Sequence, residues 1–259
     1  MPFVDSNGAR IYWQSDGGSE LPALLLLNSL GTDCGMWDGI VPELTPQFHV
    51  LRTDARGHGR SQTTEGDYTI GVLAEDALAV LDATGVTRAH VCGLSMGALI
   101  AAHIAARDRD RVDALILCNI TTEINPADWD QRAKLVRESG MSALTEAVLS
   151  RFLSPAFLES GDQRVDKIRT TLASTDAQGY AACCIAIGHA EVLPHAMGAH
   201  VPRLLSIGGS QDAAAPVEHA RKIAASVPGG RLEVLDTGHL SATEDPNGFA
   251  EAVKTFLEA

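Results

Sequence analysis

Short apolar runs alternate with longer helical patterns along this chain of 259 residues. The clearest run, residues 23–27 (ALLLL), is apolar at every position, as in a strand that is buried on both sides. Because such strands alternate with helices, the pattern predicts an α/β fold with a parallel sheet covered on both faces. Strands are predicted at residues 9–13, 23–27, 49–54, 89–92, 114–118, 203–207 and 232–235. Helices are predicted at residues 73–84, 98–106, 217–227 and 249–257.

One long stretch interrupts this alternation. Residues 122–198 contain helical patterns and no convincing strand. We therefore predict a core domain of residues 1–121 and 199–259, with residues 122–198 inserted as a helical cap. A cap above the strand ends would shape a pocket and exclude water from it. The alternative is that these helices are ordinary crossover connections of the sheet.

The charge balance narrows the classes of partner. Lys and Arg number 20 and Asp and Glu number 33, which gives a formal net charge of −13. Because such a chain repels phosphates and anionic lipids, we expect a small-molecule substrate, with no nucleic acid and no membrane partner. A homo-oligomer is left open.

Cysteine usage and hydropathy favour a cytoplasmic protein. The five cysteines form an odd set without a C-x-x-C pair, which is typical of reduced thiols and not of a disulfide framework. No signal peptide is visible, and no apolar run approaches the roughly 20 residues that span a bilayer.

The pentapeptide at residues 93–97, GLSMG, matches the pattern G-x-S-x-G. It lies between the predicted strand that ends at Cys92 and the predicted helix 98–106. In that strand–turn–helix setting the motif forms a nucleophile elbow, a tight turn that needs small residues on both sides of the serine. We therefore predict that Ser95 is a catalytic nucleophile. The alternative is a serine that only caps the helix.

A serine nucleophile needs a base, and the base needs an acid that orients it. In the fold that carries this elbow, the chain order is serine, acid, histidine. Among the histidines after Ser95, His239 comes just past a late predicted strand, and Gly238 allows the chain to turn there. We predict His239 as the base.

The predicted acid is Asp212, which follows the strand 203–207 through the polar turn 208–211. Asp236 is rejected because it lies on the same strand as His239 and only three residues before it. Glu123, just past the strand that ends at Cys118, remains the alternative acid.

The anion that forms during ester cleavage needs two backbone donors. We predict the N–H groups of Met96, next to the nucleophile, and of Leu30, in the loop 28–31 (NSLG). No metal site is predicted, because no carboxylate or thiolate completes one around His195 and His200. No cofactor is predicted either, since no nucleotide-binding glycine motif follows a strand.

These residues resemble the α/β-hydrolase superfamily over nearly the whole chain. Residues 54–61 (DARGHGRS) are similar to its D-x-R-G-H-G-x-S turn. The resemblance implies an α/β-hydrolase fold with a mostly parallel eight-stranded sheet, helices on both faces and a helical cap insertion. It also implies hydrolysis of an ester-like bond.

Closer matches point to the 3-oxoadipate enol-lactonase family. The loop 28–38, the elbow 92–97 and the segments 117–119, 179–184 and 239–241 are similar to that family, as is Trp129. The resemblance implies a lactonase of the catabolism of aromatic compounds, which opens an enol-lactone with water.

The chain departs from this family at one place. After residues 186–187 the family usually carries Arg-Asp, and this chain has Gly188 and His189. If the family's arginine holds the substrate carboxylate, Arg132 or His189 would have to replace it, and we expect Trp129 to pack on the lactone ring. The alternatives are a carboxylesterase, a cofactor-free perhydrolase or a carbon–carbon bond hydrolase with the same triad. A receptor that only binds a ligand is a further alternative, and the complete triad argues against it.

Overall fold

The computed structural model describes residues 2–190 and 203–258. In these residues a single sheet of eight strands organises the fold. The strands are β1 (Phe3–Ser6), β2 (Ala9–Asp16), β3 (Ala23–Leu27), β4 (His49–Thr53), β5 (Ala89–Leu94), β6 (Val112–Cys118), β7 (Arg203–Gly209) and β8 (Arg231–Leu235). Their order across the sheet is β1-β2-β4-β3-β5-β6-β7-β8.

The sheet is mixed but mostly parallel. The β1–β2 and β2–β4 pairs are antiparallel, and the pairs from β4 through β3 to β8 are parallel. The predicted fold class is therefore confirmed. The local patterns missed β1, because four residues are too few to display a period.

The middle of the sheet is buried on both sides. Every residue of β3 and of β4 is buried, and successive side chains of a strand point to opposite faces. Both faces are therefore covered. The helices are α1 (Val41–Leu44), α2 (Ile70–Ala83), α3 (Met96–Arg107), α4 (Pro126–Ser139), α5 (Thr145–Phe152), α6 (Pro155–Leu158), α7 (Gln163–Ser174), α8 (Ala177–Gly188), α9 (Val217–Ala225), α10 (Ser241–Glu244) and α11 (Pro246–Glu258).

Between β6 and β7 the described residues form helices α4 to α8 and no strand. We call residues 122–190 the cap segment, and its status as a separate domain stays a prediction. The cap segment approaches the core closely at Gly179, where an added Cβ would lie 2.5 Å from the Cα of Gly57. His195 and His200 lie outside the described residues.

Across residues 2–190 and 203–258, no helix combines the length and the apolar character that crossing a membrane requires.

Candidate active site

The turn that carries Ser95 has a backbone that few residues adopt. Ser95 directly follows β5 and precedes α3, with φ of 57° and ψ of −113°. Positive φ in a residue other than glycine costs about 1–3 kcal/mol and is often found at functional sites. A Cβ added at Gly93 would lie 2.1 Å from the carbonyl oxygen of Gly97. A Cβ added at Gly97 would lie 2.0 Å from the carbonyl oxygen of Leu27. The sequence folds this way because both neighbours of the turn are glycines.

A buried acid–base pair is formed at the ends of two other strands. His239 follows β8 and Asp212 follows β7, and the Nδ1 atom of His239 lies 2.8 Å from the Oδ2 atom of Asp212. Both residues are buried, with 3% and 5% of their surfaces exposed. The structure thus brings together the predicted base and the predicted acid.

The Asp212 carboxylate accepts four hydrogen bonds. The backbone N–H groups of Ala214 and Ala215 each donate to Oδ1 at 2.8 Å. His239 Nδ1 and the side-chain amide of Asn119, at 3.1 Å, donate to Oδ2. Burial acts to raise the pKa of Asp212, but His239 and these hydrogen bonds outweigh it and hold the pKa below its usual value.

An ionised Asp212 can only accept, so the Nδ1 atom of His239 must carry the proton. This tautomer leaves Nε2 free to take a proton from a nucleophile. His239 therefore has the tautomer and orientation that a serine nucleophile requires of its general base.

Asn119 is a residue of the site that sequence reasoning missed. It directly follows β6 with a positive φ of 48°, and its amide also donates to the Gly238 carbonyl at 3.2 Å. Its own oxygen accepts from the Ser241 hydroxyl. Asn119 thus joins the acid to the loop that carries the base. Its position directly after a buried strand is the sequence signal that could have found it.

Neither of the two other carboxylates considered as the acid is bonded to His239; Glu123 lines the same cavity, and Asp236 does not. Glu123 is 75% exposed in its side chain and contacts Lys222 at 3.1 Å. Asp236 accepts from the Ser210 hydroxyl at 2.6 Å and is exposed. The geometry favours Asp212 over both.

The predicted oxyanion donors lie at the same place. Leu30 and Met96 are each 1% exposed and line the cavity together with Ser95 and His239. Within residues 2–190 and 203–258, neither backbone N–H has a hydrogen-bond acceptor. Buried N–H groups are rarely left unpaired, so two of them beside a nucleophile are suited to an oxyanion.

The cavity measures about 440 Å³ and lies between the strand ends and the cap segment. Ser95, His239 and the oxyanion loop form its core side, and α4 and α5 form its cap side. The cap side carries two cations and two acids. Its lining residues include Glu123, Asp128, Trp129, Arg132, Val148, Arg151, Phe152 and Ile187. Sequence reasoning missed Arg151, because nothing in the pattern of α5 distinguishes it from a solvated arginine.

Arg132 is held between two aromatic rings. Its guanidinium carbon lies 5.3 Å from the ring centre of Trp129 and 5.4 Å from that of Tyr180. Its Nη2 group donates to the Tyr180 hydroxyl. Its Nε atom is buried and has no hydrogen-bond partner among the described residues. Arg132 is therefore oriented in advance, with a donor still to be satisfied.

His189 does not line the cavity, so its predicted place facing the substrate is wrong. Its imidazole lies 2.9 Å from Asp130 Oδ1 and is 54% exposed. The cause is its position directly after α8, from which its imidazole reaches Asp130 on α4. Gly188 is buried, and a Cβ there would lie 2.8 Å from the Cβ of Trp129. An arginine at position 188 would require α4 to move.

In the part of the chain that the structure describes, no group of three or more histidine, cysteine, aspartate or glutamate side chains is arranged to hold a metal ion. The five cysteines are free and buried. Burial raises the pKa values of Cys183 and Cys184, so neither thiol has the character of a nucleophile.

A serine at a strained strand-to-helix turn, an acid and a histidine after later strands, and a mixed eight-stranded sheet define the class of the α/β hydrolases. The sequence model of the alpha/beta hydrolase fold family matches residues 22–157. The chain belongs to this family.

Three proteins that are similar to this chain over nearly its whole length are enol-lactonases. The chain is 35% identical to 3-oxoadipate enol-lactonase 2 of Acinetobacter baylyi, over 93% of this chain and 91% of the relative. It is 34% identical to 3-oxoadipate enol-lactonase 1 of the same organism, over 99% and 96%. The crystal structure of the enol-lactonase from Burkholderia xenovorans superposes with a TM-score of 0.94 at 37% identity and covers 100% of both chains.

Proposed function

We propose that this chain is a serine hydrolase that opens a small enol-lactone, 3-oxoadipate enol-lactone, to 3-oxoadipate. The observation that carries the proposal is the buried hydrogen bond between His239 and Asp212 beside the cavity that Ser95 also lines. The similarity to enol-lactonases over nearly the whole chain supports the choice of substrate.

The proposed reaction has two steps. In the first, Ser95 Oγ attacks the lactone carbonyl while His239 Nε2 takes its proton. The N–H groups of Leu30 and Met96 stabilise the negative charge on the carbonyl oxygen. The ring C–O bond then breaks, and the enol oxygen takes the proton from His239. The enol tautomerises to a ketone.

In the second step His239 activates a water molecule, which attacks the acyl group on Ser95. The serine leaves with the proton returned by His239, and a new carboxylate is released. Asp212 stays ionised throughout and stabilises the imidazolium form of His239.

The name 3-oxoadipate describes a dicarboxylate, so its lactone keeps one free carboxylate. A chain with net charge −13 repels such an anion at long range and needs a local cation to bind it. We propose Arg132 for this contact, with Trp129 packing against the lactone ring. The guanidinium lies over two aromatic rings and Arg132 lines the cavity, and both observations support this choice.

We also propose that the enzyme acts in the cytoplasm as part of the catabolism of aromatic compounds. The free thiols of all five cysteines support a reduced compartment.

A panel of substrates tests the proposal. The purified enzyme is assayed with the enol-lactone, its neutral methyl ester, a simple lactone and p-nitrophenyl acetate. We expect the highest kcat/KM on the enol-lactone acid. A preference for p-nitrophenyl acetate would make the chain a general carboxylesterase instead.

Ser95→Ala is the matched control in this panel, because it removes one oxygen atom and should leave the fold intact. We expect activity to fall by several orders of magnitude, since members of a triad act as a unit. If Ser95→Ala kept more than about a tenth of the kcat, a loss of under ~1.4 kcal/mol, the nucleophile would be wrong.

A further inference from the structure

The cap segment is bonded directly to the loop that carries His239. The His239 N–H donates to the Phe152 carbonyl at 2.7 Å, and the Leu240 N–H donates to the same oxygen at 3.2 Å. The Phe152 ring lies 4.7 Å from the His239 ring, with 36° between their planes. The backbone and the ring of the proposed base thus both rest on one residue of the cap.

One carboxylate closes this junction from the other side. Oε1 of Glu244 accepts from the Gly238 N–H at 3.1 Å and from the Ser154 N–H at 3.0 Å. Oε2 accepts from the Ser154 hydroxyl at 2.6 Å. Glu244 therefore links the residue before His239 to the cap residue that lies two positions after Phe152.

The two backbones approach too closely here for any side chain at position 238. A Cβ on Gly238 would lie 2.6 Å from the Ser154 nitrogen, 2.7 Å from Glu244 Oε1 and 2.8 Å from the Leu153 carbonyl carbon. The short helix that contains Glu244 is also held by the cap residue Arg164, which donates to the Thr243 carbonyl at 2.6 Å. The junction is therefore packed and bonded along its whole length.

We propose that Glu244 is a positioning residue, which holds the His239 loop against Phe152 and so couples the placement of the cap to that of the base. Glu244 does not line the cavity, so it acts through His239 and not on the substrate. The inference rests on the proposed function of His239. The alternative is that Glu244 only stabilises the fold, and the experiment must distinguish this structural role from a positioning role.

The experiment compares three variants at a temperature well below their melting points. Glu244→Ala removes the acceptor of two N–H groups. Glu244→Gln keeps a carbonyl oxygen for both N–H groups and an amide for the Ser154 hydroxyl. Lys167→Ala is the matched control, because it breaks a different contact between cap and core, the 2.6 Å ion pair with Asp38. For each variant, kcat and KM on the enol-lactone are measured per active site titrated with a fluorophosphonate.

We expect Glu244→Ala to lower kcat per titrated site by about 10²-fold with little change in KM, the loss that a misplacement of about 1 Å can cause. Glu244→Gln should recover kcat to within about threefold, and Lys167→Ala should keep it, because the hydrogen bonds to the His239 loop remain intact in both.

A structural bystander would give another pattern. Glu244→Ala would then lower the melting temperature and the titrated fraction while kcat per titrated site stayed normal, and the inference would be overturned. An equal loss of kcat in Glu244→Gln would also overturn it, because the hydrogen bonds would then not be the cause. If Ser95→Ala were still active, the proposed function would have failed; if it were inactive while Glu244→Ala was normal, only this inference would have failed.

Discussion

The core side and the cap side of the cavity are built by different means. On the core side, Ser95, Asp212 and His239 follow the ends of β5, β7 and β8, where backbone turns and hydrogen bonds direct their side chains. On the cap side, Trp129 and Arg132 stand on α4 and are oriented by contacts between side chains. On the core side, the position of a residue along the chain therefore determines where its side chain points. On the cap side, the direction of a side chain depends on how the helices pack.

The acid on the core side gives the largest expected effect. Asp212→Asn should lower kcat on the enol-lactone by about 10⁴-fold, because His239 loses its tautomer and the stabilisation of its charged form. Steady-state kinetics of Asp212→Asn and Glu123→Gln check this. If Glu123→Gln lost activity on that scale while Asp212→Asn stayed near normal, the acid would be Glu123, after β6. The assignment of Asp212 on the core side would then be wrong.

A substitution on the cap side should change substrate binding and leave the chemical step largely unchanged. Arg132→Ala should raise KM about ten- to a hundredfold, since a hydrogen bond to a charged group contributes roughly 1.5–3 kcal/mol. The kcat should change less, because the contact is present in both the ground state and the transition state. The effect should vanish on the neutral methyl ester, which lacks the carboxylate.

Arg151→Ala is the matched control for Arg132→Ala, because it removes an exposed cation from the same cavity without an aromatic clamp. A larger rise in KM for Arg151→Ala would assign the carboxylate to Arg151. If Arg132→Ala raised KM equally for the enol-lactone acid and for its neutral methyl ester, Arg132 would support the structure of the cap and would not bind the substrate carboxylate.

These two sides also differ in how far the sequence could predict them. Ser95 and its flanking glycines are recognisable because only one kind of turn fits between that strand and that helix. Asp212 and His239 follow from chain order and from the turns after late strands. Sequence reasoning missed Asn119 and Glu244 because their roles depend on hydrogen bonds to residues that lie 90 or more positions away along the chain.

The cap residues were harder for a physical reason. A helix turns its side chains through 100° per residue, so whether one faces the cavity depends on how the helix sits on its neighbours. Arg132 faces the cavity, as predicted. His189 does not, because Gly188 lets α4 and α8 approach closely and His189 ends beside Asp130.

His189 should therefore give the smallest effect. Its contact with Asp130 is exposed, and exposed pairs of this kind contribute at most about 1 kcal/mol. His189→Ala should change KM for the enol-lactone less than about twofold, well below the scale expected for a charged contact. A rise in KM comparable to that of Arg132→Ala, present on the acid and absent on the neutral ester, would return His189 to the binding site.

The central claim is that one serine, Ser95, carries the hydrolysis of the enol-lactone. The most direct measurement is titration with a fluorophosphonate, with the labelled residue mapped by peptide mass spectrometry and the remaining enol-lactone hydrolysis recorded at each degree of labelling. We predict that the label maps to Ser95 and that activity falls in proportion to the labelled fraction, reaching zero at one label per chain. Activity that persists in fully labelled enzyme, or inactivation by a label on another residue, would contradict the claim.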